Sequence, residues 1–315
     1  MSIFVLAKLE KFDNFPQLIY NLDMLCNQCP RKCNVDRNIS NGFCQSPEDI
    51  FIAKYMIHHW EEPVISGTDS FGGSGAIFFA GCNLKCVYCQ NYEISNSCVG
   101  KKVTILELVE LIKELENNGA LNINFVTPSH YTEQIIECLK IYKPKVPVVW
   151  NSSGYEDIEQ IKKLKDYVDI YLVDLKYMDE NLSSQLSNAK DYPSIASKVI
   201  KQMKINQPKD EFNNGIMQKG VIVRHLVLPN CLDNSFKCLD WIKDNLSTKQ
   251  FISIMAQYLP CYKAKEIPLI NRKLHPIEYK RIVNYVETLS FENGFLQELD
   301  SAKCEYTPDF SKFKG

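Results

Sequence analysis

Three cysteines of this chain lie close together in a pattern that suits metal chemistry. In the segment AGCNLKCVYCQNY (80–92), Cys82, Cys86 and Cys89 follow the spacing C-x3-C-x2-C. Four-iron clusters bind cysteine thiolates and ordinarily need four of them. A segment that supplies three leaves one iron with an open position, as catalytic metal sites do. We therefore predict that a small molecule with an amine and a carboxylate chelates this iron.

The same segment permits a second interpretation, in which the cysteines bind zinc. Structural zinc sites are closed by four ligands, and Cys98 is near enough in sequence to act as the fourth. An iron–sulfur cluster is favoured because the segment follows a strongly apolar run, AIFFA (76–80), that predicts a strand. Barrel enzymes place their catalytic groups in the loops that follow such strands.

A separate group of four cysteines precedes this segment. Cys26, Cys29, Cys33 and Cys44, called here the first cysteine group, follow the spacing C-x2-C-x3-C-x10-C. Four thiolates close a site completely, which suits either structural zinc or a second iron–sulfur cluster. Zinc would only hold the surrounding region together, whereas a cluster would relay electrons inward. The spacing favours a metal over free thiols but leaves both kinds of metal site open, and we expect a structural role for the metal.

The other six cysteines are scattered along the chain. A cytoplasmic protein keeps its cysteines reduced, so clustered cysteines indicate metal binding and isolated ones behave as small apolar residues. We predict free thiols at Cys98, Cys138, Cys231, Cys238, Cys261 and Cys304.

Composition and charge argue against several other classes of function. Of the 315 residues, 45% are hydrophobic and 23% are charged, as in a globular protein with a substantial core. The net charge of −2 provides no basic excess, so neither nucleic acid nor an anionic membrane is expected as a partner. The start of the chain has no signal-peptide core, because Lys8, Glu10 and Lys11 interrupt its apolar residues. We predict a cytoplasmic protein.

Apolar runs and helical patterns alternate from residue 76 onward. Continuously apolar, β-rich runs predict strands that are covered on both faces, at 76–80, 122–126, 147–150, 169–174, 221–228 and 251–256. Amphipathic patterns between them predict helices at 104–118, 131–142, 156–166, 193–206, 235–245 and 276–290.

The helix predicted at 104–118 has the clearest pattern. Thr104 and Glu107 predict a capping box at its start, and Gly119 predicts its end. We predict that one buried stripe of this helix is formed by Leu106, Val109, Ile112 and Leu115.

The alternation predicts an α/β fold. Six strand–helix repeats indicate a parallel sheet with right-handed crossovers. A complete eight-unit barrel typically needs about 250 residues, so six units indicate a partial, open (β/α)6 barrel of the TIM type. We divide the chain into a small cysteine-rich N-terminal lead-in (1–75), a core barrel (76–293) and a C-terminal tail (294–315).

The segment 80–92 resembles the signature of the radical SAM superfamily, whose members use S-adenosylmethionine (SAM). The resemblance covers most of residues 26–290 and points to proteins called pyruvate formate-lyase activating enzyme-like. It is carried by HHWEEPVISG (58–67), GSGAIFFAGCNLKCVYCQNYEIS (73–95), NINFVTPSHY (122–131), NSSGYE (151–156), IYLVDLKYMD (170–179), VIVRHLVLPN (221–230) and MAQYLP (255–260).

The resemblance implies a chemistry and a set of cofactors. In this superfamily a reduced [4Fe–4S] cluster gives one electron to the sulfonium of SAM and breaks a carbon–sulfur bond. The products are methionine and a 5′-deoxyadenosyl radical, which abstracts a hydrogen atom from the substrate. Such a cluster needs a low reduction potential. The resemblance therefore implies an anaerobic or strongly reducing cell and a reductant such as flavodoxin or ferredoxin.

The resemblance also implies residues that bind SAM. Tyr88 matches an aromatic position that packs near the adenine. The positions after the third and fourth strands match the ribose contacts and a DLK motif at the mouth of the site, at Asn151, Ser152, Ser153, Asp174 and Lys176. Further polar residues at strand ends are Arg224, His225 and Tyr258. The alternative for each residue is a role in capping, a turn or the core.

The sequence departs from the superfamily pattern after the second strand. Many members have a GGE-type motif there, which holds the amino group of SAM. This chain has Thr127, Pro128, Ser129 and His130 instead. We expect Thr127, Ser129 or His130 to contact the SAM amine, so alanine at these positions should weaken SAM binding and leave the iron content normal. The alternative is an irregular loop that starts the next helix.

Three functions remain open from the sequence. The first is an activating enzyme that abstracts hydrogen from a glycine Cα of a partner glycyl radical enzyme. The second uses the same radical on a small molecule or another peptide. The third is a non-enzymatic iron–sulfur or zinc module that does not cleave SAM. The polar residues at strand ends favour an enzyme, since an electron carrier needs no such rim.

Overall fold

The structure is a computed structural model that describes residues 25–68, 72–302, 308 and 310. Residues 1–24 and 69–71 of the predicted lead-in lie outside the described residues, as do 303–307, 309 and 311–315 of the predicted tail, which include Cys304. The strands are β1 (Ile50–His58), β2 (Ser74–Phe79), β3 (Lys101–Val103), β4 (Ile123–Val126), β5 (Val148–Ser152), β6 (Ile170–Asp174), β7 (Glu211–Asn213), β8 (Ile216–Leu226), β9 (Phe251–Met255) and β10 (Gly294–Leu296). The helices are α1 (Pro63–Ser66), α2 (Tyr92–Ser95), α3 (Ile105–Asn117), α4 (Thr132–Ile141), α5 (Ile158–Lys163), α6 (Glu180–Ser187), α7 (Tyr192–Asn206), α8 (Leu232–Leu246) and α9 (Pro276–Leu289).

The strands form one open sheet. Its order is β10-β9-β8-β6-β5-β4-β2-β1-β3, and β7 lies off this row and pairs with β8. Neighbouring strands are parallel from β2 to β10, whereas β1 is antiparallel to both β2 and β3. Among the described residues no pairing joins β3 to β10, so the sheet does not close. The predicted open barrel of six parallel strand–helix units is confirmed.

The six predicted apolar runs correspond to β2, β4, β5, β6, β8 and β9. Strands β2, β4 and β5 are buried at every position, which explains their long apolar runs. The six predicted helices are present as α3, α4, α5, α7, α8 and α9. The sequence did not predict the other elements, most of which are too short to show a hydrophobic period.

Helix α3 shows how the sequence determines both ends and one face. The Thr104 hydroxyl accepts a hydrogen bond from the Glu107 amide, and the Glu107 carboxylate accepts one from the Thr104 amide, as the predicted capping box requires. The chain leaves the helix through Gly119, whose φ is +86°. The prediction that Leu106 is buried is wrong: it is 65% exposed, and Leu108 is buried instead. Three residues turn a helix by only about 300°, which is less than a full turn. Side chains at every third position therefore rotate around the helix, and over the four predicted positions they reach the opposite face.

The region before residue 76 contributes to the same sheet. Strand β1 pairs with β2 from Ile52 to His58, and β10 extends the sheet beyond residue 293. The sheet therefore includes strands from both sides of 76–293, the range predicted for the core barrel. Within the described part of the chain, no helix has the length and apolar character needed to cross a membrane.

Residues 61–66, called here the plug, lie inside the open barrel. Successive strand residues point to opposite faces of a sheet, and the long helices cover the outer face. On the inner face, Ile65 of the plug belongs to an apolar cluster with Val149, Ile170, Leu172, Met217 and Ile222. This packing anchors the plug, and with it Glu61 and Glu62, within the barrel.

Candidate active site

Residues 80–92, called here the cluster loop, begin where β2 ends. The carbonyl of Ala80 accepts hydrogen bonds from the Ser46 hydroxyl (3.0 Å) and from Nε2 of His130 (2.8 Å). Gly81 follows with a φ of +86°, and a side chain at this position would collide with Ser46. These contacts fix the start of the loop against two neighbouring segments.

The cluster loop holds its three cysteines as free thiols near one another. Burial above all, and then the thiols of Cys86 and Cys82, raise the pKa of Cys89 to about 12. Burial also raises the pKa of Cys86, although the nearby Lys176 ammonium opposes it. Iron binds the thiolate form. A bound metal would therefore supply the positive charge that three closely packed thiolates need.

The surroundings of the sulfur atoms fit an iron–sulfur cluster. Each sulfur accepts a hydrogen bond: Cys86 from the Ser187 hydroxyl (3.0 Å), Cys89 from the Ser95 hydroxyl (3.4 Å) and Cys82 from the Leu84 amide (3.4 Å). Hydrogen bonds to sulfur tune the potential of such clusters. Within residues 25–68 and 72–302, no three His, Cys, Asp or Glu side chains are placed to hold a metal ion. A cluster binds its thiolates through different irons and so needs a wider arrangement of sulfur atoms than a single ion does.

Two tyrosines among the predicted site residues contact each other beside the cysteines. The rings of Tyr88 and Tyr258 lie 6.0 Å apart in an edge-to-face contact. The Tyr88 hydroxyl is hydrogen-bonded to the Tyr177 hydroxyl (2.5 Å), which is bonded to the Ser187 hydroxyl (2.8 Å). Because Ser187 also donates to Cys86, two hydroxyl groups connect Tyr88 to that sulfur.

A cavity of about 200 Å³ opens beside the cysteines of the cluster loop. Its walls include Cys86, Cys89 and four predicted site residues, Tyr88, Asp174, Lys176 and Tyr258. Arg224, Met255 and Gln257 line this cavity and also a neighbouring one of about 270 Å³, so the two cavities adjoin. Several strand ends thus meet the cysteines at one concave site, as a cofactor site requires.

Arg224 lies at the centre of a buried charged network at the strand ends. Its guanidinium donates to Asp174 (3.0 Å), Glu61 (3.2 Å) and Asn151 (2.5 Å). The Lys176 ammonium pairs with the other carboxylate oxygen of Asp174 at 2.5 Å. Burial favours a neutral Asp174, but Lys176 and Arg224 together outweigh burial and lower its pKa. The network therefore keeps Asp174 ionised.

The sequence analysis missed Glu61 and Glu62 as site residues. Glu61 accepts hydrogen bonds from the amides of Asn124 (3.0 Å) and Asn151 (3.1 Å) and pairs with Arg224. Burial raises the pKa of Glu62, while Arg224 opposes this rise and Glu61 adds to it. The sequence does offer a signal for these two residues, since they are adjacent carboxylates within the stretch 58–67, which carries part of the resemblance. Nothing in their spacing connects them to the strand ends.

The turn after β4 holds three predicted residues that are engaged with other groups. The Ser129 hydroxyl donates to Glu156 (2.8 Å), and His130 is bonded to the Ala80 carbonyl. Ser129 and His130 are both buried, at 2% and 1% exposure. Thr127 has a φ of +58° and donates its amide to the neighbouring strand β5. The contact with the SAM amine stays a prediction for all three residues.

Of the other predicted residues, Asn151 faces the charged network, whereas the side chains of Ser152, Ser153 and His225 are hydrogen-bonded to other groups. The hydroxyls of Ser152 and Ser153 each accept a hydrogen bond from the amide two residues later. Both ring nitrogens of His225 are bonded, at 2.7 and 2.9 Å, and burial lowers its pKa to about 4. These bonds are typical of turn and core residues.

The first cysteine group forms a compact unit before β1. Two backbone hydrogen bonds of Cys26 close a tight hairpin around Cys29 and Cys33. Burial raises the pKa of Cys29 to about 12, and Cys44, Cys26 and Cys33 each add to the rise. All four thiols are free and near enough to interact electrostatically.

The chain matches known proteins at the level of sequence. The family model described as the radical SAM superfamily matches residues 76–216. An uncharacterized protein of Methanocaldococcus jannaschii is 33% identical over 286 residues, which are 88% of this chain and 78% of that protein. The pyruvate formate-lyase-activating enzyme of Clostridium pasteurianum is 26% identical over 176 residues, 53% of this chain and 66% of that enzyme.

Two solved structures resemble the fold more distantly. Streptococcus suis SuiB bound to its precursor peptide SuiA has a TM-score of 0.47 and 16% identity, covering 74% of this chain and 51% of that chain. Methylornithine synthase (PylB) has a TM-score of 0.45 and 14% identity, covering 76% of this chain and 74% of that chain. The alignment thus spans about half the length of SuiB.

Proposed function

Because this chain belongs to the radical SAM superfamily, which uses a [4Fe–4S] cluster and SAM, we propose that Cys82, Cys86 and Cys89 hold that cluster. The proposal rests on one observation above all. Three free thiols follow the end of β2, and two of them line a cavity together with four predicted site residues. With SAM bound, such a cluster supplies the electron that breaks a carbon–sulfur bond and starts radical chemistry.

The residues around the cavity have different tasks in this proposal. Tyr88 and Tyr258 present ring surfaces that suit the adenine and exclude water from the site. Lys176 and Arg224 provide positive charge for a carboxylate, and Asp174 keeps both cations oriented. Asn151 is held by the charged network at the end of β5, where its amide suits a ribose hydroxyl.

We propose that the turn after β4 contacts the amine of SAM. The side chains of Ser129 and His130 are bonded elsewhere, so Thr127 is the first of the three to test. In the variant Thr127→Ala, SAM should bind more weakly while the iron content stays normal. Unchanged SAM affinity in alanine variants of all three residues would reject this contact.

We propose that the substrate is a peptide segment of a partner glycyl radical enzyme, with a glycine Cα as the hydrogen donor. The support is the similarity to the activating enzyme of Clostridium pasteurianum, together with adjoining cavities in an open sheet. A flavodoxin or ferredoxin would supply the electron in a reducing cytoplasm, where cysteines stay free. A small molecule or another peptide is the second candidate substrate, supported by the modest size of the cavities.

The cluster proposal is tested by anaerobic reconstitution with iron and sulfide. Wild-type protein with SAM and dithionite should form 5′-deoxyadenosine, and Cys86→Ala should lose that activity together with part of its iron. Cys98→Ala is the matched control and should keep both properties. Loss of iron in the control would support a site closed by Cys98. Iron without SAM cleavage in the wild-type protein would support an electron carrier instead.

The substrate proposal needs a separate test. The reconstituted protein is mixed with SAM, a reductant and each candidate glycyl radical enzyme of the source cell. A glycyl signal in electron paramagnetic resonance (EPR) spectra is expected with one of them. If SAM is cleaved but no candidate gives this signal, the small-molecule or other peptide substrate is favoured.

A further inference from the structure

The first cysteine group packs directly against the start of the cluster loop. At Gly81, the residue before Cys82, an added Cβ would lie 2.7 Å from the carbonyl oxygen of Cys44. The two cysteine groups therefore approach each other so closely that only a glycine fits between their backbones.

Hydrogen bonds hold this contact in place. Three side chains of the segment around the first cysteine group donate to carbonyl groups of the barrel: Ser46 to Ala80 (3.0 Å), Arg31 to Asn83 (2.8 Å) and Arg37 to His130 (2.6 Å). Arg37 is only 2% exposed. A buried guanidinium is costly unless it is bonded. The contact is therefore a fixed part of the fold.

Two cations lie in the region between the cysteine groups. The Arg31 guanidinium is 3.9 Å, and the Lys85 ammonium 5.3 Å, from the centre of the Phe43 ring. Phe43 directly precedes Cys44. Lys85 is close enough to Cys44 and Cys82 to interact with both thiols. One ammonium group thus belongs to the environment of both cysteine groups.

The sulfur atoms of the first cysteine group have surroundings that suit a buried cluster. Cys29 and Cys44 are 7% and 6% exposed. The Phe43 amide donates to the sulfur of Cys33 (3.3 Å), and a Cβ at Gly42 would lie 3.0 Å from that sulfur. Hydrogen bonds to sulfur and burial are two of the features through which proteins tune cluster potentials.

We propose that the first cysteine group holds a second, redox-active iron–sulfur cluster that passes single electrons to the cluster of the cluster loop. A one-electron donor of the flavodoxin or ferredoxin class reduces the second cluster. This cluster is reoxidised when its electron crosses the contact between Cys44 and Gly81 and reduces the cluster of the loop. The inference rests on the proposed function, because it needs that cluster as the electron acceptor.

Lys85 lies where its charge can influence electron transfer between the two cysteine groups. Each transferred electron adds one negative charge to the site that receives it, and a cation near both sites stabilises both reduced states. Zinc has no redox chemistry in proteins. A zinc ion at the first cysteine group would hold the hairpin together but could not pass an electron to the cluster loop.

The metal bound by the first cysteine group is identified with the variant Cys82→Ala/Cys86→Ala/Cys89→Ala. This variant lacks all three thiols of the cluster loop, so any bound metal belongs to the first cysteine group. The variant is reconstituted anaerobically with iron, sulfide and zinc together, and the bound metals are measured. We expect bound iron, bound sulfide and an EPR signal after reduction by dithionite. Bound zinc, or no metal, in a folded variant overturns the inference. Two distinct EPR signals in reduced wild-type protein would also support a second cluster, without any substitution. A single signal overturns the inference.

The electron transfer is tested by the rate at which reduced flavodoxin reduces the cluster of the loop in stopped-flow experiments. We expect Cys26→Ala/Cys29→Ala and Lys85→Gln each to slow this step by about tenfold or more, while SAM affinity stays normal. Lys140→Gln, at an exposed position of α4, is the charge-matched control and should not change the rate. Unchanged rates in the first two variants overturn the inference. A wild-type protein that lacks iron at the cluster loop contradicts the proposed function instead.

Discussion

The guanidinium of Arg224 and the carboxylate of Glu61 lie 3.2 Å apart inside the barrel, although 163 residues separate them in the chain. Arg224 belongs to β8, and Glu61 begins the plug. Their side chains are 12% and 11% exposed, so the pair is largely withdrawn from water. This ion pair connects the segment before the barrel to the strand ends where the cavities open.

We predict that Glu61→Gln destabilises the fold substantially. The substitution removes the charge opposite Arg224 and leaves a buried guanidinium with one carboxylate fewer. Breaking one side of a buried pair typically costs about 3–5 kcal/mol. Urea unfolding, followed by far-ultraviolet circular dichroism, should show this loss as a lower free energy of unfolding.

Glu110→Gln is the control for this prediction. Glu110 pairs with Lys113 on the surface of α3, and its side chain is 71% exposed. Exposed pairs contribute little to stability, so this variant should unfold like the wild-type protein. Equal stability of the two variants would show that the pair of Glu61 and Arg224 is not important for the fold.

We predict that Ser187→Ala lowers the reduction potential of the cluster in the cluster loop. Ser187 donates to the sulfur of Cys86, and a donor to sulfur stabilises the more negative, reduced state. A hydrogen bond worth about 1 kcal/mol corresponds to a shift of about 40 mV for one electron. An EPR-monitored redox titration of the reconstituted protein measures this shift.

Ser184→Ala provides the comparison for this measurement, since Ser184 lies exposed on the same helix α6. The reduction potential of the cluster in the Ser184→Ala variant should equal that in the wild-type protein. A Ser187→Ala variant with an unchanged potential and a normal iron content would contradict a role for this hydrogen bond.

We predict that Ile65→Ala loosens the plug. Ile65 is fully buried against apolar residues of β5, β6 and β8, so the substitution leaves a cavity inside the barrel. Such substitutions typically cost about 2–5 kcal/mol. Ile277→Ala, at a position that is 67% exposed, should cost far less in the same urea titration. Similar costs at both positions would argue against a packed plug.

We predict that Glu156 makes the fold less stable as the pH rises. Burial raises its pKa from the usual 4.5 to about 7, although the Ser129 hydroxyl and the Trp150 indole donate to it. The folded state thus holds a proton that the unfolded state releases near pH 4.5. Its stabilising contribution is complete below about pH 4.5 and is lost as the pH rises through about 7. A shift of this size corresponds to about 3 kcal/mol.

Glu156→Gln should remove this dependence, because glutamine does not titrate. The free energy of unfolding is compared between variant and wild-type protein from pH 4.5 to 8, where the variant should gain in relative stability as the pH rises. The comparison also cancels the opposite contribution of the buried histidines, whose pKa values burial lowers: His58, His130 and His225. A difference that stays constant with pH would contradict the raised pKa of Glu156.

Local patterns were enough to predict much of the fold. Continuous apolar runs identified six parallel strands, and the capping box of Thr104 and Glu107 located the start of α3. The stripe prediction failed at Leu106 because its spacing by threes does not follow the helical period. The short elements were missed because three or four residues show no period.

The sequence by itself determined the cysteine spacing, the alternation of strands and helices, and the superfamily, because each is encoded by neighbouring residues. Only the tertiary structure decided which polar residues meet. In the structure Glu61 pairs with Arg224, Ser129 and His130 are buried, and Cys44 lies against Gly81. Such contacts depend on how distant segments pack across strand ends and inside the barrel. A pattern in one segment cannot specify them, since the partner of each side chain comes from another part of the chain.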